Sequence, residues 1–415
     1  MTRTASKPAV PPLVIEQVLI DDLHPDPANP RRIADADLEA LTRSIREFGL
    51  VDPILARLAD RTVIGGHQRL LAARRLGLKE VPVIYLDLTA EKARLLNVGL
   101  NKIGGDFDQE LLGRLLADLS QTPDVDLTLT GFDEKEIAEL LRSLDVREKR
   151  ERPETFDLDA ALEEANRSQR VNVGDIWQLG EHRLLCGDAT KPDDVARLLQ
   201  GAQPQMAFTD PPYNVSFGAS VNPRHRRRSI TNDSLTAEEW EIFCQGWAEN
   251  LLASVSGALY ICMSCKEWAT VSRILAKAGG HWSDTIIWEK DRFVLGRADY
   301  QHGYEPVWYG WKEGQKRTWC GDRDQSDVWR IARPSDSPLH PTMKPLALIE
   351  RAIENSSANG DLVLDLFLGS GSTVIAAERT GRVCYGMELD PHYCSIVVAR
   401  WEAFTGRDAE KVKEQ

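Results

Sequence analysis

At 415 residues the chain is longer than the ~300 at which single cores stop growing, so at least two domains are expected. Its composition, 42% hydrophobic and 28% charged, excludes disordered and membrane-embedded classes, and no apolar run approaches the ~18 to 20 residues that span a bilayer. The net charge of −13 argues against indiscriminate coating of nucleic acid, although a local basic groove is compatible with it. The N-terminus, with Arg3 and Lys7 followed by prolines, lacks the apolar core of a signal peptide, which predicts a cytoplasmic protein. Seven scattered cysteines, an odd number, fit reduced thiols better than a disulfide framework.

After a stretch read as disordered (1–12), residues 13–20 predict a strand. Leu38, Leu41, Ile45 and Phe48 recur at helical spacing over Asp35–Phe48, and Gly49 stops that helix. Strands follow from Asp52 and Thr62, then Gly65-Gly66-His67-Gln68-Arg69 opens a second helix, and the run from Val81 closes a small α/β unit as another strand. The paired glycines let backbone N–H groups approach an anion at a helix N-terminus; a plain strand-to-helix turn fits the same residues. Residues 106–146 read as a helical extension with no clear helix-turn-helix, and 147–172, rich in charge, as a linker.

From Val173 the pattern changes. Gln205–Thr209 forms a short apolar strand directly before Asp210-Pro211-Pro212-Tyr213-Asn214, a turn that leaves a carboxylate and a carbonyl at a strand's C-terminal end, where open α/β sheets bind ligands. Such a pair suits an exocyclic amine on a base. Hydrogen bonds from the amine to Asp210 and to the Pro211 carbonyl shift electron density back onto nitrogen, the prolines rigidify the turn, and Tyr213 offers a π-face to an extruded base.

Far downstream, Asp361–Asp365 predicts a strand, Phe367-Leu368-Gly369-Ser370-Gly371-Ser372-Thr373 a glycine loop, and the residues to Gly381 a helix. A strand ending at Glu388 and a helix from Pro391 complete a βαβα unit, with Glu388 placed to bond ribose hydroxyls. The glycine loop alone would suit NAD equally. Arg224-His225-Arg226-Arg227-Arg228 reads either as a solvated loop or as a phosphate contact, and the nine tryptophans from Trp240 to Trp329 read mainly as core. Cys262 and Cys265 stand at metal-ligand spacing without a second pair, so no metal is expected.

Two resemblances rest on these residues. Asn29-Pro30-Arg31, Ser44–Leu50 with Pro53-Ile54, and Gly65–Arg69 with Ala72-Ala73 are similar to the ParB/sulfiredoxin-like N-terminal domain over 13–105. Gly-His-Gln stands where ParB proteins carry an acidic and arginine version, which speaks against nucleotide hydrolysis. Residues 173–405 resemble the amino-methylating DNA methyltransferases of permuted order, leaving 406–415 as a tail.

That second resemblance implies a Rossmann-like α/β fold, S-adenosylmethionine as cofactor and double-stranded DNA as partner. It gives Asp210, Pro211, Pro212 and Tyr213 to catalysis. To the cofactor it gives Asp188, Asp365, Phe367, Gly369, Ser370, Gly371, Thr373 and Glu388, together with Thr342 and Lys344 of His340-Pro341-Thr342-Met343-Lys344-Pro345. Asp at the first motif position points to adenine N6; cytosine N4 is the alternative, as is a ParB-like DNA-binding module with a non-catalytic second half. A Pro-Cys nucleophile for carbon methylation is missing from the sequence. A homodimer, and a nucleotide or protein partner for the first domain, stay open.

Overall fold

A computed structural model of the chain describes residues 13–102, 107–123, 125–215, 231–294, 299–333 and 343–413. The chain divides into two compact units, Met1–Asp145 and Val146–Gln415.

In the first unit the elements run β1 (Ile15–Leu19), α1 (Asp35–Phe48), β2 (Ile54–Arg57), β3 (Val63–Gly65), α2 (His67–Arg75), β4 (Glu80–Leu86), α3 (Ala90–Lys102), α4 (Gln109–Ser120) and α5 (Glu134–Glu151), the last crossing the boundary. Among the described residues the strands form a four-stranded sheet in the order β1-β4-β2-β3. β4 lies at its centre, antiparallel to β1 and parallel to β2. Leu70 and Ala73 of α2 close the core over Ile54, Val81 and Val83. The residues after β4 form α3, an element the sequence analysis did not separate. Leu95 and Val98 of α3 pack with Leu112, Leu115 and Leu116 of α4 and with Leu140 and Leu141 of α5, so the helical extension does pack on the α/β unit.

The second unit continues with α6 (Leu158–Arg167), β5 (Ile176–Leu179), β6 (His182–Cys186), α7 (Pro192–Leu199), β7 (Met206–Thr209), α8 (Ala237–Ser254), β8 (Ala258–Cys262) and α9 (Trp268–Lys277). After these come β9 (Gly280–Val294), β10 (His302–Lys312), β11 (Val328–Arg330), α10 (Leu346–Ser356), β12 (Leu362–Asp365), α11 (Ser372–Thr380), β13 (Val383–Glu388), α12 (Pro391–Thr405) and β14 (Glu410–Lys411). The described strands make one ten-stranded sheet, β11-β9-β10-β8-β7-β12-β13-β6-β5-β14. Its middle, from β8 to β6, is parallel.

Helices cover both faces of that sheet. Met206, Phe208 and Val363 point toward α10, α11 and α12, while Ala207, Leu259 and Leu364 point toward α7, α8 and α9. Strands buried on both faces need apolar residues at successive positions, which is why β7, β8 and β12 read as short continuous apolar runs. Trp240, Trp247, Trp288, Trp308 and Trp329 are core, as expected, whereas Trp282 is 57% exposed.

The reading of 147–172 as a linker is corrected. α5 runs to Glu151, where Arg147 and Glu151 form a pair one turn apart. α6 begins on an Asp157 cap that accepts from the Asp159 and Ala160 N–H groups, and it buries Leu158 and Ala165 against Ile396. Charge density concealed helices whose apolar positions are few. The tail read over 406–415 holds the short β14, paired antiparallel with β5.

Candidate active site

Sheet order brings the two distant motifs together. β12 enters the sheet late in the chain yet lies beside β7, with Val363 opposite Met206 and Leu364 opposite Ala207. The Asp210 turn and the glycine loop therefore leave neighbouring strands at the same carboxyl edge, the ligand-binding edge of an open α/β sheet. Thr209 seals the junction, its hydroxyl donating to Asp365 Oδ1 at 2.9 Å.

The Asp210 carboxylate sits in a compact polar network. Tyr213 Oη donates to its Oδ1 at 2.7 Å, and Lys344 Nζ approaches its Oδ2 at 2.6 Å. The same ammonium lies 3.3 Å from Glu305 Oε2, and Lys290 Nζ donates to Glu305 Oε1 at 2.6 Å. Burial raises the Asp210 carboxyl above the usual range, Lys344 opposes that rise, and Glu305 adds to it. Burial also works against the Glu305 charge, yet Lys344 and Lys290 bring its carboxyl down to about 2. Lys344 is held above the ordinary lysine value by Asp210 and Glu305 despite its burial. An ionised carboxylate accepts about four hydrogen bonds, so Asp210 keeps acceptor capacity beyond its two partners.

The turn itself is anchored from behind. Asp233 Oδ1 accepts from the Tyr213 and Val215 N–H groups at 3.2 and 3.1 Å. Asn214, at φ +54°, exchanges side-chain hydrogen bonds with the Leu235 backbone. Asn tolerates the left-handed region better than most residues.

In the glycine loop, Asp365 accepts from Phe367 N–H at 3.0 Å and from the Thr373 hydroxyl at 2.6 Å, and burial pushes its carboxyl up to about 6. Its role is to fold the loop. Gly369, at φ +51°, has open space where a side chain would project, whereas Gly371, at φ +85°, lies against Val397. Glu388 accepts from Gly369 N–H at 2.8 Å and Asp390 N–H at 2.9 Å, and its dense surroundings raise the carboxyl to about 7. Asp188 follows β6 beside it, Gly187 N–H donating to the Glu388 carbonyl, but its Oδ1 is engaged by Thr190. Ser370 is held by Arg400 through its carbonyl at 2.9 Å. S-adenosylmethionine fits these residues: an acid at the strand end suits a ribose diol, and the ground above Gly369 is clear.

The structure thus joins Asp210, Tyr213, Lys344 and Asp365, and beside them Phe367, Gly369 and Glu388. Lys344, which the resemblance assigns to the cofactor, has its ammonium on the Asp210 carboxylate. Thr342, His340, Pro341 and the Arg224–Arg228 cluster lie outside the described residues. Glu305, Lys290 and Asp233 were missed. They belong to no local motif, and the only signal was a charged residue inside the apolar run of β10. Cys262 is buried, its thiol pushed well up by burial, and Cys265 is exposed. No cluster of three metal-ligating side chains occurs among the described residues.

In the first unit, Gly66 adopts φ +95° at the start of α2. His67 Nε2 accepts from Asp26 N–H at 3.3 Å and burial lowers its pKa to about 4, while Arg69 donates to the Asp52 carbonyl at 2.9 Å and pairs with its carboxylate. The His67 and Arg69 side chains of that loop are thus engaged within the domain.

A sheet with a parallel middle, carrying a half-buried carboxylate beside a glycine loop and an acid-tipped strand, defines a Rossmann-like domain built for group transfer with a nucleoside cofactor. Comparison with known proteins narrows the class. Residues 205–399 match the DNA methylase family model, residues 6–101 the ParB N-terminal domain, and residues 110–170 the ParB-methyltransferase HTH domain. Residues 205–399 thus carry a DNA methylase domain of the N6/N4 family, preceded along the chain by a match to the ParB N-terminal domain.

The Type II methyltransferase M.HpaI of Haemophilus parainfluenzae is 26% identical over 254 residues, covering 55% of this chain and 77% of that protein. The Type II methyltransferase M2.DpnII of Streptococcus pneumoniae is 28% identical, covering 51% of this chain and 88% of its own. The crystal structure of an M1.HpyAVI-SAM complex aligns at 22% identity and a TM-score of 0.41, covering 52% of this chain and 97% of that one. The match over 110–170 overturns the expectation that no helix-turn-helix module lies there. The apolar spacing of α4 and α5 is that of any helical bundle, and the charged run hid the rest.

No helix among the described residues is long and apolar enough to cross a membrane.

Proposed function

We propose that this chain methylates the exocyclic amino group of adenine, at N6, in double-stranded DNA. The observation that carries the reading is the half-buried Asp210 carboxylate, fixed by Tyr213 and Lys344 at the edge shared with the glycine loop. S-adenosylmethionine supplies, when bound, an electrophilic methyl on sulfur. Asp210 and the Pro211 carbonyl accept hydrogen bonds from the amine, localise its lone pair and hold it in line. Positioning and preorganised charge supply the rate. Tyr213 fixes the Asp210 rotamer through its hydroxyl and presents its ring to the extruded base. Glu388 receives ribose hydroxyls, and Asp365 keeps the loop in shape through Phe367 and Thr373.

Asp at the first position of the motif favours adenine, since cytosine-directed members of the resembling group more often carry Ser there. The intact set of motif residues speaks against a merely ligand-sensing second half. Incubating purified protein with DNA and labelled S-adenosylmethionine, then digesting to nucleosides, tests the assignment. Label in methyladenine is expected, and label in methylcytosine alone would transfer the reading to cytosine N4. Asp210→Ala is expected to cut turnover at least about a hundredfold while cofactor binding, followed by calorimetry, persists.

A further inference from the structure

β9 and β10 send one charged residue each into the site from outside every motif. Lys290 on β9 is 6% exposed and Glu305 on β10 is 23% exposed, and they are joined at 2.6 Å. Glu305 also holds the Lys344 ammonium, 3.3 Å from its Oε2, while that ammonium contacts Asp210 at 2.6 Å. The result is an alternating row, Lys290, Glu305, Lys344, Asp210, in which each inner charge is shared by two neighbours. Tyr213 Oη closes the row, 2.7 Å from Asp210 and 3.4 Å from Glu305.

We infer that Glu305, held by Lys290, is a positioning residue for methyl transfer: it shares the Lys344 ammonium and so keeps Asp210 available to the substrate amine. The inference rests on the methyltransferase reading of the site. Its physical basis is competition for one cation. A buried lysine facing a single carboxylate neutralises it and occupies its acceptor sites; a second carboxylate on the far side draws part of that interaction away. Lys290 in turn limits how strongly Glu305 competes. The groups facing Asp210 are Lys344, Glu305, Tyr213, the Cys262 thiol and Asp365; those facing Glu305 are Lys344, Lys290, Asp210, Tyr213 and the Cys262 thiol.

Two substitutions move Asp210 in opposite directions. With Glu305→Gln the Lys344 charge falls on Asp210 alone and a neighbouring negative charge disappears, so the Asp210 carboxyl titrates lower. With Lys290→Met the Glu305 charge is countered only by Lys344, which is drawn from Asp210, so the Asp210 carboxyl titrates higher. Transfer requires ionised Asp210, so the acid limb of the single-turnover rate follows these shifts.

The test is single-turnover methylation of DNA by the full chain against pH, with S-adenosylmethionine affinity measured alongside. Glu305→Gln is expected to slow transfer about tenfold to a hundredfold, with the acid limb at lower pH and cofactor affinity within about twofold. Lys290→Met is expected to move the limb to higher pH. Glu305→Asp, which keeps the charge, is expected to recover most of the limb position.

Unmoved limbs in an active wild-type background overturn the inference alone, as does a Glu305→Gln loss expressed wholly as weaker cofactor or DNA binding. A wild-type protein without transfer removes the reading of the site and the inference with it. If Glu305→Gln does not fold, the direction of the Lys290→Met limb decides.

Discussion

Under the proposed function Glu388 carries two opposed demands in one side chain. Its folded pKa, about 7, stands above the ordinary 4.5. For an acid this sign means that the folded state binds the proton more tightly than the unfolded chain. Its contribution to stability is complete below about 4.5 and is lost as pH rises through about 7. Ribose hydroxyls, however, donate best to the ionised form. Cofactor affinity should therefore fall as pH drops through about 7, while the protein without cofactor gains stability over the same interval. Glu388→Gln is expected to flatten both trends: S-adenosylmethionine binding weakens about tenfold to a hundredfold at pH 8, and the melting temperature at pH 8 rises. Calorimetric titration and thermal melts at pH 6 and pH 8 check this; a pH-independent affinity in the wild type would remove the role given to Glu388.

At this scale the sequence singled out Asp210, Tyr213, Asp365 and Glu388 as candidates, because each ends a strand or enters a loop with a recognisable neighbour pattern. It could not show Glu305 or Lys290. Their meaning depends on strand register across β9 and β10, and a lone charge in a strand has the same appearance whether it meets solvent or a buried lysine.

Among the elements, the turn after β7 is the one whose shape the proposed chemistry needs most. It is built from prolines and a left-handed Asn214, and it has no regular hydrogen-bond ladder of its own to hold it. Asp233 supplies the missing acceptor for Tyr213 N–H and Val215 N–H, and is itself only 2% exposed. Asp233→Ala would leave those donors without their acceptor, a penalty of about 1 to 3 kcal/mol for a buried group. The turn would then lose its register over Asp210. The expectation is a lower melting temperature together with a slower single-turnover rate and little change in cofactor affinity; a variant as active as wild type would mean that the prolines suffice. Elements buried on two faces, β7, β8 and β12, were legible as apolar runs, and α1 matched its expected bounds because one apolar face and Gly49 mark it. α6 was not legible, since its few apolar positions pack on α12 across a long sequence separation.

For the whole molecule, the boundary between the two units falls inside α5, and this decides where the chain can be cut. The last turns of α5 belong to the methylase unit: Lys149 pairs with the buried Glu378 at 2.6 Å, and Arg379 donates to the Arg150 carbonyl at 2.8 Å. Arg152, just beyond, donates to the Phe404 carbonyl at 2.6 Å. Glu378 also binds His182 at 2.6 Å and Trp401 at 3.0 Å, so it ties α11 to β6 and α12. A deletion of residues 1–152 takes Lys149 from this cluster and should lower the melting temperature of what remains. A deletion of 1–133 keeps the whole of α5 and should retain methyl transfer at saturating DNA. What the shorter deletion should lose is DNA affinity, because the ParB N-terminal domain and part of the HTH match go with it. Contacts to phosphate release counterions, so the loss should appear as a shallower dependence of log affinity on log salt, by about two or more if the missing part neutralises at least two phosphates. Fluorescence anisotropy across a salt series measures that slope. An unchanged slope and affinity would assign DNA binding to the methylase unit alone and leave the ParB N-terminal domain for another partner.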